Sequence, residues 1–147
     1  MNKVKEVVIG TIEFSGELNE VAKVGKPFPL LGKKHQCQII VKEKEGPICH
    51  FHVIDKDENF RMCVCIYEPY YFIHPGWENK INSSQKKELD SYLRSKGYIG
   101  KTIWDDIVFQ WKKLNPDNIN YYKYEKNFKN ATQPDYTRLD GNKVNNH

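Results

Sequence analysis

No run of apolar residues in this sequence approaches the length that crosses a bilayer. The longest candidate, Val4 to Phe14, is interrupted or flanked by Lys3, Lys5, Glu6 and Glu13, so neither a membrane span nor a secretory leader is read from it. Also missing are a Cys-x-x-Cys or His-x-x-x-His knuckle, an internal repeat, and any block of one charge. The 23 basic and 19 acidic residues leave a net of +4, spread over doublets such as Lys33-Lys34, Lys86-Lys87 and Lys112-Lys113. Such doublets usually lie on solvated faces, and a balance this even permits nucleic-acid contact without arguing for it. Four cysteines, Cys37, Cys49, Cys63 and Cys65, in a chain read as having no export signal are expected as free thiols of a reducing compartment, where metal binding outranks disulfides. The expected location is the cytoplasm of a bacterium, or of a phage-infected bacterium.

What is present suffices for one packed domain: 39% hydrophobic and 13% aromatic residues among 147, with 29% charged to keep it soluble. The expected fold is α+β, a small antiparallel sheet of three to four strands packed against two C-terminal helices, with an N-terminal helical or mixed segment. Val4, Val7, Val8 and Ile12 fit a helical face, although Ile12 and Phe14 alternate as a strand would. Glu17 to Val24 reads as a short helix stopped at Gly25, and Pro27 and Pro29 make an extended linker. Ile39, Ile40 and Val41 read as a strand ending in the turn-like Glu45-Gly46-Pro47.

Ile48 to Ile54 and Phe60 to Tyr67, joined by the polar Asp55 to Asn59, predict an antiparallel hairpin. Tyr70 to Ile73 suits a short edge strand or a packed crossing loop before Pro75-Gly76. Asn82 with Gln85 opens a helix carrying Leu89, Tyr92 and Leu93, ended near Gly97. Thr102 caps a second helix with Asp105 in its first turn; Ile103, Ile107, Trp111 and Leu114 share a face that Trp104 and Val108 widen, and Asn115-Pro116 stops it. Residues 1–116 are therefore expected as a single domain, and 117–147 as an Asn-rich tail, extended or partly disordered.

The feature with chemical content is a set of three alternate-residue pairs, His35-x-Cys37, His50-x-His52 and Cys63-x-Cys65. Residues two apart on a strand project from one face, so each pair can present two metal-binding groups in one direction. Hairpin register decides what meets. With Ile54 opposite Phe60, Cys49 faces Cys65, Phe51 faces Cys63, and the histidines lie outside a cysteine-aromatic core. With Ile54 opposite Asn59, His50 faces Cys63 and a zinc site becomes possible. The stripe Cys49-Phe51-Val53 favours the first register, which makes no cofactor the expectation; a metal, if bound, would be zinc on His50, His52, Cys63 and Cys65.

Other readings remain open. His50 and His52 can serve as general acid and base in phosphodiester cleavage, with Arg61 or His74 on the phosphate. Arg61, Tyr70, Tyr71, His74 and Trp77 form a candidate binding surface in an aromatic run. Tyr121, Tyr122, Lys123, Tyr124 and Lys126 interleave stacking groups and cations as single-stranded nucleic acid would require.

Gly46-Pro47-Ile48-Cys49-His50-Phe51-His52-Val53 resembles the small prokaryotic domain-of-unknown-function family marked by a Pro-Pro-His-Phe-His-Val strand, over about Gly46 to Trp104. Ile48-Cys49 departs from the second proline, and Cys63-x-Cys65 is outside the family pattern. The resemblance implies a strand, a second strand and a Leu-rich basic helix ending near a Trp, in a toxin-antitoxin or mobile-element setting. Only His50 and His52 carry over, as motif positions. The expected function is a small binding or regulatory protein with a protein partner and no membrane, in a toxin-antitoxin or phage-host setting. The alternatives are a ribonuclease-like or zinc-dependent hydrolase using His50 and His52, and a phage structural component.

Overall fold

The computed structural model describes residues 4–16, 34–45, 48–57, 59–116 and 132–143. Six strands form one mixed sheet in sequential order: β1 Glu6–Ser15, β2 Lys34–Lys42, β3 His50–Asp55, β4 Arg61–Cys65, β5 Tyr71–Phe72 and β6 Asn142–Lys143. The first five pair antiparallel, while β5 and β6 run parallel. Helices α1 Ser83–Arg94 and α2 Ile103–Leu114 cover one face. This corrects the expectation of three to four antiparallel strands, which missed both ends of the sheet.

At the N-terminal end, the helical-looking spacing belongs to a strand with a bulge. Val8 pairs with Ile40 and Gly10 with Ile39, so one extra residue enters β1 between them. The bulge spaces the buried Ile9 and the buried Ile12 three positions apart before period two resumes at Phe14, and an inserted residue of this kind imitates a helical interval. Any side chain at Gly10 would collide with the Tyr92 hydroxyl, so α1 lies directly on the bulged backbone. The expected helix over Glu17 to Val24 and the proline linker after it fall outside the described residues.

At the other end, residues 132–143 are part of the fold and not the extended tail expected. Tyr136 and Leu139 are both fully buried. Tyr136 accepts no help from a core of its own: its hydroxyl donates toward the carbonyls of Cys65 (2.9 Å) and Ile66 (2.8 Å), and its backbone N–H donates to Asp90 (3.0 Å). Two large anchors inserted into an existing core order a segment whose overall composition could not order itself. Tyr121, Tyr122, Lys123, Tyr124 and Lys126 lie outside the described residues.

The helices start where their capping residues place them. Asn82 with Gln85 and Thr102 with Asp105 each form a reciprocal capping box, satisfying N–H groups that a helix start leaves open. The main core lies between these helices and one sheet face: Phe14, Ile39, Val41, Phe51, Val53, Met62 and Val64 against Leu89, Leu93, Ile103, Ile107 and Trp111. A smaller cluster, Cys63, Cys65 and Phe72 with Ile48 and Trp77, lies on the opposite face. No described helix is long and apolar enough to cross a membrane.

Replacing Tyr136 by Ala should lower unfolding stability by about 3–5 kcal/mol, as for other buried aromatic truncations. Chemical denaturation measures it; a loss under about 0.5 kcal/mol, the usual range for a surface change, would mean that residues 132–143 do not belong to the fold.

Candidate metal centre

The hairpin adopts neither of the two registers weighed from sequence. Ile54 pairs with Arg61, Val53 with Met62, His52 with Cys63, Phe51 with Val64 and His50 with Cys65. The cause is the turn. The Asp55 carboxylate accepts the N–H groups of Asn59 (2.8 Å) and Phe60 (3.1 Å), and the Asp55 N–H donates to the Phe60 carbonyl (3.1 Å). Phe60 is thereby held in the loop with its ring fully buried, and β4 begins one residue later.

Shifting the partners by one residue exchanges the faces that meet. Phe51 and Val53 go to the helix side, and His50, His52, Cys63 and Cys65 all go to the other. The expectation of two histidines on a polar exterior is therefore corrected: each is 1% exposed. The third alternate pair points the other way, with Cys37 in the helix-side core.

Four side chains converge on the outer face. One nitrogen or sulfur from each of His50, His52, Cys63 and His74 lies within 4.8 Å of the others, and together they could hold a metal ion. Cys63 Sγ is 3.1 Å from His52 Nδ1 and 3.3 Å from His74 Nε2. His74 replaces Cys65 in the set expected from sequence; Cys65 packs instead with Phe72 beside it. Gly76, with φ at 86°, takes the left-handed conformation that glycine allows. The resulting turn, closed by Trp77 N–H to His74 O at 3.0 Å, presents His74 to Cys63.

The His50 and His52 rings are fixed as ligand imidazoles require, each anchored at the atom that does not bind. His50 Nδ1 donates to the Ile48 carbonyl at 2.7 Å; its Nε2 is buried, makes no hydrogen bond among the described residues and lies 3.7 Å from Glu45 Oε2. His52 Nε2 donates to Glu45 Oε1 at 2.6 Å, which turns the Nδ1 lone pair toward Cys63. His74 Nε2 lies 3.3 Å from Cys63 Sγ, with the Pro75 backbone beside the ring. Phe72 stacks on the His50 ring at 4.0 Å between centroids, and Trp77 meets His52 edge-on at 4.5 Å.

Glu45 is the residue that sequence reasoning missed, since Glu45-Gly46-Pro47 signalled only a turn. Lys44, at φ 58°, turns the chain before it. The buried Asn115 at the end of α2 accepts its N–H (3.0 Å) and donates to the Lys42 carbonyl (2.9 Å). Helix capping on one face of the sheet thus positions a carboxylate for the other.

Burial sets the protonation states. It would raise the Glu45 carboxyl, but interactions with His50 and His52 outweigh it and hold the group well below the usual carboxylate range. Burial pushes His52 down to about 4 despite the Glu45 hydrogen bond, and lowers His74 as well. Burial, with Glu45 nearby, pushes the Cys63 thiol up; Cys65 is pushed up to about 12, again mainly by burial. Without metal the centre is therefore a carboxylate, neutral His52 and His74 imidazoles and a thiol.

The other residues singled out from sequence do not join the centre. Trp77 forms part of its wall, with the Arg61 guanidinium 5.6 Å and the Lys42 ammonium 4.9 Å from the indole centroid. Tyr71 is buried, with its hydroxyl on the Ile81 backbone. Tyr70 is 38% exposed and stacks under Lys143 instead.

Metal ligation needs the thiolate. Binding of a divalent ion at neutral pH should then release about one proton, from Cys63, and affinity should rise about tenfold per pH unit there. Calorimetry in buffers of different ionisation enthalpy measures the proton count; a count near zero would contradict ligation by the protonated-at-rest thiol. No family model, curated protein or solved structure matches this chain, so its chemistry is read from this centre.

Proposed function

We propose that this protein is a zinc-binding domain whose His50, His52, Cys63 and His74 form a closed, non-catalytic centre, and that it acts as a binding or regulatory protein. The observation that carries the reading is the convergence of four donor atoms, from His50, His52, Cys63 and His74, within 4.8 Å of one another, with the buried His50 Nε2 making no hydrogen bond among the described residues and lying 3.7 Å from Glu45 Oε2. A buried polar atom left unpaired costs about 1–3 kcal/mol, and a shared cation removes that cost.

Three imidazoles and one thiolate are a borderline-soft donor set that suits zinc. Four protein ligands complete a tetrahedron and leave no open position for water, the mark of structural as opposed to catalytic zinc. Charge supports the same choice. The thiolate and the Glu45 carboxylate supply two negative charges against one divalent ion, so the buried assembly is close to neutral.

A second reading has one observation in its favour. Cys63, His52 and Glu45 stand in the order nucleophile, base and orienting carboxylate, at 3.1 and 2.6 Å, the arrangement of cysteine-dependent acyl transfer. Against it, Cys63 is 1% exposed with its thiol pushed up by burial, the opposite of an activated nucleophile. It also leaves His50 and His74 without a role. Acid-base cleavage by His50 and His52 meets a similar objection, since both rings are buried and a proton donor must reach its substrate.

Protein purified without an affinity tag should carry one zinc per chain by elemental analysis. Glu45→Gln should weaken zinc binding about 10–100-fold, the usual cost of removing a supporting group, and Cys63→Ser should weaken it further. Cys63 should resist iodoacetamide until zinc is chelated. Rapid alkylation of Cys63 in the zinc-loaded protein would favour the nucleophile reading, and a folded chain that takes up no zinc would end the proposal.

A further inference from the structure

Three of the four ligands stand on β3 and β4, whose positions the ladder fixes. His74 does not. It belongs to the crossover 73–82, which leaves the sheet after β5, passes over the outer face and returns at Asn82, the cap of α1. The backbone of this crossover is tied down at its two ends. Ile73 N–H donates to Lys143 O (2.8 Å) at the near end; at the far end Asn79 N–H donates to Arg61 O (2.9 Å), Arg61 N–H donates to the Asn79 side chain (2.8 Å), and Glu78 bridges Met62. Between those ends, two side chains reach the sheet: His74 lies on Cys63 (3.3 Å), and Trp77 lies on His52 (4.5 Å) with the Lys42 and Arg61 cations 4.9 and 5.6 Å from its indole.

Trp77 also forms one wall of a cavity of about 540 Å³, floored by Gln38, Ile40 and Ile54 and flanked by Lys42 and Arg61. Ile40 pairs with His52, and Ile54 with Arg61, so this cavity adjoins the metal centre on the same sheet face, with the indole between them. A ligand bond at His74 would fix the middle of the crossover, and with it the cavity wall.

Resting on the metal-centre reading above, we infer that the crossover 73–82 is a metal-responsive strap: the bound ion pins His74 and holds Trp77 as the wall of the adjoining cavity, and loss of the ion frees both. The strap gives the centre a regulatory output. Three ligands and the helix-side core persist without the fourth bond, so the free state differs from the bound state locally and not by unfolding. Metal occupancy is thereby converted into the shape of a groove lined by Lys42, Arg61 and Trp77.

Hydrogen exchange of the full-length chain, read by mass spectrometry with and without one equivalent of zinc, tests this together with elemental analysis of the same samples. Zinc should slow exchange across 73–79 by about tenfold or more, and by clearly more than in α1 and α2. In His74→Gln, which keeps three ligands and the folded core, zinc should still bind, more weakly, without slowing that segment. Zinc bound at one per chain with 73–79 unchanged, or slowed no more than the helices, would overturn the strap while leaving the metal centre standing. Equal slowing in His74→Gln would also overturn it. No zinc uptake by the wild-type chain would overturn both.

Discussion

The pairing of β3 with β4 is the constraint on which the rest of this protein depends. With Ile54 opposite Arg61 and His52 opposite Cys63, Phe51, Val53, Met62 and Val64 fall on the helix side and every polarisable ligand of the hairpin falls on the other. A sheet alternates with period two, so no intermediate arrangement exists; a slip by one residue would turn the histidines toward the helix-side core of Leu89 and Ile107 and turn apolar core residues away from it. Burial on both faces of β3 therefore locks the register twice, once through apolar packing and once through the His52–Cys63 and His52–Glu45 contacts.

Two short polar arrangements enforce that pairing. Asp55 captures the N–H groups of Asn59 and Phe60, which sets the length of the turn, and Phe60 fills the core beneath it. Asn115 carries information across the sheet: it caps α2, bonds the Lys42 carbonyl and fixes the Glu45 N–H. The carboxylate that orients His52 is consequently placed by the same residue that ends the helix packed on the opposite face. Buried polar groups of this kind stabilise little in net terms but penalise alternatives heavily when unmatched.

Much of the local structure was legible from residue types. Both capping boxes announce their helices, and the apolar stripe Ile103, Ile107 and Trp111 lies on its core face. The alternation of His50 with His52 and of Cys63 with Cys65 was also visible, as was a hairpin between them. The register was not, because it turns on which N–H groups the Asp55 side chain accepts, and loop composition does not encode that choice. The bulge in β1 hid a strand behind a helical interval. Tyr136 and Leu139 looked like residues of a polar tail because composition averages over a segment, whereas ordering here depends on two anchors. His74 stood among the candidate binding residues, but its arrival beside Cys63 required the Gly76 turn and the crossover. Glu45 carried no signal beyond its position before Gly46-Pro47.

The centre combines four donors that are buried or nearly so, held in defined tautomers, with charges that suit one divalent ion. X-ray absorption spectroscopy of the zinc-loaded protein tests that claim most directly, because it counts ligands by element. Three nitrogen ligands at about 2.0–2.1 Å and one sulfur at about 2.3 Å are the expected shell. A shell with two sulfurs, which would bring in Cys65, or one without sulfur, would contradict the arrangement of His50, His52, Cys63 and His74.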